Sequence, residues 1–379
     1  MDQKIPIINL NAELDPLDSE IKAALQQVLD DKKFILGPAV QRFEKDFAAY
    51  LGVRHCIAVH SGTTALWMAL TALGLEPGDE VLTTPFTFFG TLEAILWAGG
   101  KPVLVDIDPE TLNIDPQKLE AALSPKTRGI LPVHLYGQPA DMDPIMKTAK
   151  SNNLWVLEDA CQAHGSTYRG RRAGALGSAA AFSFYPTKNL GALGDAGAIV
   201  TQDDDLASRL RLLRSHGEAG HYHHVLLGTN ARLDSFQAAL LSVKLRRLEQ
   251  RNEARRRNAR KYAERLKNAP GLRCVRQIPE AQSNYHQFIV QHAGRDALKE
   301  FMDKKGVATA VHYPCPAHQQ PVAKPLGLDG GSFPAAEKAA REVLALPVFP
   351  ELQDSQIQYI CDSIIEFCNS HSGIEVSQE

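Results

Sequence analysis

The chain has 379 residues, 44% of them hydrophobic and 22% charged, with a formal net charge of -3. That length accommodates one large and one small domain, and the near-neutral balance excludes a global basic field for nucleic acid or an anionic membrane. The opening MDQKIPIINL has no basic stretch followed by a long apolar run, and Cys56, Cys161, Cys274, Cys315, Cys361 and Cys368 form no CxxC pair, so a cytoplasmic protein with reduced thiols is expected.

Leu17, Ile21, Leu25 and Leu29 repeat at helical spacing, and so do Val40, Phe43, Phe47 and Tyr50. They predict two packing helices within 16–50, separated by a turn at Phe34–Pro38. HCIAVH (55–60) reads as a strand. Ser61-Gly62-Thr63-Thr64 follows it and opens the strong helix former ALWMALTAL. Small hydroxyl residues at a helix start offer free amides and the positive end of the helix dipole, which together seat a phosphate. A plain Ser/Thr cap is the alternative.

Strand and helix signals then alternate. EVLTTP is a strand, TFFGTLEAILWAG a helix and KPVLVDID a strand. Residues 116–123 form a helix, RGILPVHLYG a strand and MDPIMKTAKSNN a helix. LWVLEDA, AAAFSFYP and AGAIVT are strands, and DLASRLRLLRSHG is a helix. Repeated βαβ units with near-continuous apolar strands predict a mostly parallel sheet covered on both faces. Ligands gather at the carboxyl ends of such strands. Thr63, Phe88, Asp159 and Lys188 all fall just past predicted strands.

Lys188 stands alone after Tyr185-Pro186-Thr187, before a loop with Gly191, Gly194 and Gly197. A lysine held there can stay partly unprotonated and attack a carbonyl; an exposed lysine beside a turn is the plain reading. The glycines precede a strand and open no helix, so they are no dinucleotide fingerprint. Asp159 reads either as a helix cap or as the partner of a buried cation. Phe88 can cover a flat ligand or simply pack. YRGRRAGALGS (168–178) reads as a hairpin-like excursion.

His221, His223 and His224 have no cysteine or carboxylate at ligand spacing, so no metal site is expected. Asn230-Ala231-Arg232-Leu233-Asp234 leads into an Ala/Leu-rich helix that continues as the arginine-dense RRLEQRNEARRRNARKYAERL. With interspersed glutamates this reads as a long solvated helix linking two domains, rather than a nucleic-acid arm. The composition shift at 246–270 divides a large domain (1–248) from a small α/β domain (249–379). The latter holds HQFIVQHA, a helix at 295–305, GVATAVHYP, a last helix near 353–369 and a polar, frayed tail HSGIEVSQE.

Seven stretches in order carry a resemblance: SGTTAL, TPFTFFGTLEAI, PVHLYG, EDACQAHG, SFYPTKNLGALGDAGA, GTNARLDSFQAALL and VHYP. The chain resembles the DegT/DnrJ/EryC1/StrS nucleotide-sugar aminotransferases nearly end to end. The resemblance implies pyridoxal 5'-phosphate (PLP) on an α/β type I, aspartate-aminotransferase-like fold, with a large mixed, mostly parallel sheet domain and a small C-terminal α/β domain. It implies that Lys188 joins the cofactor covalently and later acts as the base, that Asp159 pairs with the pyridine nitrogen, and that Gln162 lies at the phenolic oxygen. Phe88 takes the stacking position. Gly62, Thr63 and Ser183 match phosphate positions, and Asn230 matches the asparagine that reaches the phosphate from the partner of a homodimer with shared sites. Arg232, His312 and Tyr313 match positions that touch the sugar nucleotide. Thr64 is variable in the family, and Cys315 stands where an aliphatic residue is expected. The implied donor is glutamate and the implied acceptor a nucleotide-linked keto-sugar. YHHVLLGTNARLD and TAVHYP most resemble members that aminate C3; C4 amination and a non-catalytic PLP-binding regulator are the alternatives. A few relatives are dehydratases with histidine in place of the lysine, and Lys188 stands against that chemistry.

Overall fold

The computed structural model describes residues 4–371, so the tail at 372–379 lies outside the described residues. The chain opens with α1 (Leu10–Leu14), α2 (Asp18–Asp31) and α3 (Pro38–Leu51). The predicted turn falls between α2 and α3: Lys32 is left-handed, with φ 53°, and Pro38 fills the first position of α3, where its missing N–H costs nothing. Next come β1 (His55–Val59), α4 (Gly62–Ala72), β2 (Glu80–Thr83), α5 (Gly90–Trp97), β3 (Lys101–Leu104), α6 (Leu119–Ala122), β4 (Thr127–Ile130), α7 (Met142–Ser151) and β5 (Trp155–Asp159). The expected hairpin is β6 (Thr167–Tyr168) and β7 (Arg171–Arg172), followed by β8 (Ala179–Ser183), β9 (Gly197–Thr201), α8 (Asp204–Arg214), α9 (Ser235–Leu245) and α10 (Leu248–Leu266). The last part holds β10 (Leu272–Cys274), β11 (Ala281–Gln282), β12 (Phe288–His292), α11 (Arg295–Lys304), α12 (Pro334–Glu342), β13 (Val343–Leu346) and α13 (Asp354–Ser370).

Seven strands make the large sheet in the order β1-β9-β8-β5-β4-β2-β3. The pairs from β8 through β5, β4 and β2 to β3 are parallel, while β9 runs antiparallel to both β1 and β8. The side-chain period of two sends alternate residues to opposite faces. Ile57, Val59 and Ile199 face a core with Leu66, Met68 and Leu70. Cys56, Ala58, Ala198 and Val200 face another with Phe43, Phe47, Phe182 and Phe184. Both faces are therefore dry, as the near-continuous apolar strands require.

A second sheet, β10-β12-β13, is antiparallel and carries its own core with α10, α11 and α13. Ile5 belongs to that core and bridges Val307, so the chain's start packs against its last third. β11 pairs with β6 of the hairpin and stitches the two parts together.

Several expectations need correction. The helix after Asp234 does not run on: it breaks at Arg246–Arg247 between α9 and α10. α10 is not merely solvated, because Asn252, Arg255, Arg256, Asn258 and Tyr262 are buried on its inner face. RGILPVHLYG is a strand only to Ile130, since Pro132 cannot donate to the ladder and Tyr136 and Gly137 turn left-handed (φ 58° and 93°). GVATAVHYP makes only isolated bridges, Val307 to Ile5 and Ala310 to Ala345.

Candidate active site

The carboxyl ends of β1, β2, β5 and β8 open on a cavity of about 540 Å³. Gly62, Thr63, Phe88, Asp159, Gln162, Ser183, Lys188, His312 and Tyr313 line it together. Nine of the residues expected from sequence thus meet at one place, drawn from both parts of the chain.

The start of α4 is where the sequence places a phosphate seat. Ser61 is the N-cap, and its hydroxyl accepts from the Thr64 amide at 3.1 Å. The amides of Gly62 and Thr63 are left at the positive helix end. Glycine is required at 62, because a Cβ there would lie 2.6 Å from Ser183 Cβ and 2.9 Å from Cys161 Sγ. Gly90 is constrained likewise, by Thr63 Oγ1 and the Phe88 ring at 2.9 Å. These two positions leave a cradle that any side chain would fill.

Asp159 ends β5 and is buried. Its Oδ2 accepts from Thr91 Oγ1 at 2.9 Å and its Oδ1 from the Cys161 amide at 3.2 Å. Gln162 Oε1 accepts from the Tyr136 amide at 2.6 Å, and its Nε2 lies 3.4 Å from the Tyr313 hydroxyl. Tyr136 also donates its hydroxyl to the His312 carbonyl. One buried tyrosine therefore ties the β5 end to the far wall. Burial holds Lys188 below the ordinary lysine range, against the opposing pull of Cys161 and Asp159. Burial, and then Lys188, lower His312 as well. Phe88 is 57% exposed at the rim, its ring centroid 6.2 Å from that of Tyr313. So large an aromatic surface left open beside a polar cavity is free to cover a flat ligand.

Asn230 and Arg232 are not in this cavity. Asn230 is exposed, accepts from Arg232 Nε at 2.9 Å and bridges Ser215, while Arg232 bridges Val59. Sequence reasoning missed His286 and Gln287, which line the same cavity as Lys188, and Thr91, which holds Asp159. Thr91 sits in the first turn of α5, four residues past Thr87 in the bend before it, and its hydroxyl pairs with that of Thr87 at 2.9 Å. That spacing was a usable signal; His286 had none nearby. Among the described residues no group of histidine, cysteine and carboxylate side chains could hold a metal ion, and no helix is long and apolar enough to cross a membrane.

The donor set fits PLP: an amine of lowered basicity, a fixed carboxylate, a helix-start anion seat and an aromatic cover. Comparison with known proteins agrees. The profile of the DegT/DnrJ/EryC1/StrS aminotransferase family matches residues 15–365. The "pleiotropic regulatory protein" of Geobacillus stearothermophilus is 48% identical over 96% of this chain and 98% of its own length. The dTDP-3-amino-3,4,6-trideoxy-alpha-D-glucose transaminase of Streptomyces venezuelae is 43% identical, covering 96% of each chain. The UDP-2-acetamido-2-deoxy-3-oxo-D-glucuronate aminotransferase of Pseudomonas aeruginosa is 41% identical over 95% of this chain and 99% of its own. Among solved structures, S. venezuelae DesV in complex with a ketimine intermediate has a TM-score of 0.94 at 43% identity, covering 96% of this chain and 98% of that one. Bacillus subtilis NtdA with bound cofactor PMP has a TM-score of 0.91 at 33% identity, covering 97% of this chain and 86% of that one. Fold, cavity and sequence match together establish that the chain belongs to the DegT/DnrJ/EryC1/StrS aminotransferase family and is a PLP-dependent enzyme.

Proposed function

We propose that this enzyme moves the amino group of glutamate to C3 of a nucleotide-linked keto-sugar, in two half-reactions that use one cavity in turn. The observation that carries the reading is the meeting of Lys188, Asp159 and the Gly62–Thr63 helix start with His312 and Tyr313 in a single cavity. When bound, PLP supplies a ring that accepts electrons from a forming carbanion. The side chains do the rest. Asp159, fixed by Thr91 and the Cys161 amide, offers the carboxylate that favours a protonated ring nitrogen. Gln162, fixed by the Tyr136 amide, orients the ring's oxygen side. Gly62, Thr63 and Ser183 seat the phosphate, and Phe88 covers the ring. Lys188, of lowered basicity, takes and returns the proton between the two carbons that flank the transferred nitrogen. His312 and Tyr313 take the sugar nucleotide.

The C3 position draws support from relatives whose names specify 3-amino or 3-oxo sugars. The substrate classes in view are UDP-linked 3-keto-2-acetamido uronic acids and dTDP-linked 3-keto-6-deoxyhexoses. Asn230 and Arg232, outside the cavity of their own chain, are assigned to the site of a partner copy in a homodimer. We place the division between the PLP-binding and small domains at 248/249, on the support of the break between α9 and α10. A regulatory role is the second reading, favoured by the name of the 48% identical relative.

The test begins with glutamate added to the holoenzyme. Conversion of the bound cofactor to its amine form, seen by absorbance, is expected. A panel of keto-sugar nucleotides offered to that form, read by mass spectrometry, should then yield a 3-amino sugar. No conversion by glutamate favours the regulatory reading; a 4-amino product corrects the position.

A further inference from the structure

Asn189, the buried residue after Lys188, belongs to a chain of hydrogen bonds whose direction is set by a backbone carbonyl. The His164 carbonyl can only accept, so Asn252 on α10 turns its Nδ2 to it, at 2.8 Å. Asn252 Oδ1 is then left to accept from Asn189 Nδ2 at 2.9 Å, and the Asn284 carbonyl accepts from the same nitrogen at 3.2 Å. Asn189 Oδ1 therefore faces His286 Nδ1, at 3.2 Å. An amide oxygen only accepts, so Nδ1 carries the ring proton. Turning the Asn189 amide over would set its oxygen against two acceptors. A second strap holds His286 in place: its backbone N–H donates to Asn284 Oδ1 at 2.8 Å, while Asn284 Nδ2 donates to the carbonyls of Gln162 and His164, both at 3.0 Å.

The ring is thus fixed, with one nitrogen committed. His286 lines the cavity, and Nε2 has no partner among the described residues. Burial comes first, then the proximity of Lys188, Arg255, His164 and His312, in holding the ring neutral well below the ordinary histidine range. What the wall offers at this point is a bare acceptor.

We propose that His286 is a specificity-determining residue whose Nε2 accepts a hydrogen bond from a hydroxyl on a carbon next to the ketone of the sugar. The proposal rests on the keto-sugar reading above. Lys188, whose charge acts on His286 across the same cavity, marks where nitrogen is exchanged, so a group on that wall can meet the substituents flanking the reacting carbon. Glutamate brings carboxylates, which only accept, and an amine that is itself exchanged. A ring hydroxyl is a lasting donor. The two substrates that share the cavity are therefore told apart by the direction of one hydrogen bond, and a substrate lacking that donor leaves the acceptor unpaired.

The test uses holoenzyme and separates the half-reactions. His286→Phe keeps an aromatic ring and removes the acceptor; His286→Gln returns an oxygen acceptor. The probes are a dTDP-linked 3-keto-6-deoxyhexose and its 2-deoxy and 4-deoxy counterparts. In His286→Phe the glutamate half-reaction should stay within about twofold of the unmodified enzyme. The sugar half-reaction, and calorimetric affinity for the aminated sugar nucleotide, should fall about tenfold, with partial recovery in His286→Gln. One deoxy probe should cost the unmodified enzyme about tenfold and the Phe variant nothing further. Equal losses in both half-reactions, or losses from variant and deoxy probe that simply add, overturn the proposal. If the unmodified enzyme accepts glutamate's amine but aminates no keto-sugar, the substrate reading fails first and takes this one with it. If it aminates the sugar and the Phe variant keeps pace, His286 alone is wrongly assigned.

Discussion

Two hydrogen bonds fix the Asp159 carboxylate, and they decide what a substitution there can mean. Asp159→Asn keeps the size and can still accept from the Cys161 amide or from Thr91, but it loses the charge proposed above to favour a protonated ring nitrogen. The glutamate half-reaction, followed by stopped-flow absorbance, should slow by about a hundredfold or more while cofactor still binds. An unchanged rate would remove Asp159 from the chemistry. His164 carries a different consequence. It is buried between Phe182 and Phe184, with ring centroids 5.4 and 5.6 Å away. Burial, then the charge of Lys188, lowers its pKa to about 3. The unfolded chain takes up a proton at this histidine near pH 6.5, and the folded chain does so only far lower. The folded value is the depressed one, so stability is whole above pH 6.5 and drains as pH falls from there toward 3. The slope is about 1.4 kcal/mol per pH unit for each such histidine. Urea midpoints measured from pH 7 down to pH 5 should fall, and His164→Phe should flatten the decline by one proton's worth. A variant with the same slope would show that His164 is not the group taking up the proton.

At the scale of elements, β5 sends two adjacent carboxylates to opposite faces. Asp159 goes to the cavity. Glu158 goes to the buried side, where it accepts from the amides of Gly174 at 2.7 Å and of Leu176 and Gly177 at 2.8 Å, and from His134 Nε2 at 2.9 Å. His134 Nδ1 in turn accepts from the Ala140 amide at 3.1 Å. One side chain thus anchors the loop after β7, the stretch after β4 and the strand that carries Asp159. Glu158→Gln brings an amide hydrogen against N–H donors and should cost about 3–5 kcal/mol, read from the denaturation midpoint. A loss under about 1 kcal/mol would mean that the loop finds other partners. This pair also shows where the sequence was legible. LWVLEDA announces a buried strand ending in acid, and period two sends one acid to each face, so Asp159 was readable as a site residue. Glu158 was not, because its partners are glycine-loop amides 16 to 19 residues on, with no side-chain signature. The sheet, the SGTT cap, the 168–178 hairpin and Lys188 carry local signals of period, turn and punctuation. The α9/α10 break has no proline or glycine to mark it, and α10's inner face hides its burial under arginines. His286 is set by Asn189, 97 positions away, and no local pattern reports such a bond.

At the scale of the whole molecule, the cavity is built from two parts of one chain, yet two of the expected site residues stay outside it. Asn230 lies at the end of a loop that exposes Tyr222 (79%) and Leu227 (95%) to solvent. The homodimer proposed above would cover such exposed apolar side chains. In that proposal a second copy gives Asn230 and Arg232 a site to complete, and a two-fold pair would close symmetrically, each chain lending what it cannot use itself. The arrangement can be tested without a complex structure. Lys188→Ala should be inactive, and Asn230→Ala should lose cofactor affinity by about tenfold, so that it fails at limiting cofactor. In a hybrid of the two, one site combines an intact Lys188 with an intact Asn230, and the other lacks both. Random pairing of the two variants should therefore restore about a quarter of the unmodified activity at limiting cofactor. If each Asn230 instead serves its own chain, every hybrid site carries one defect, and mixing yields no more than the separate variants give. The sharing of sites between copies stands or falls on that recovery.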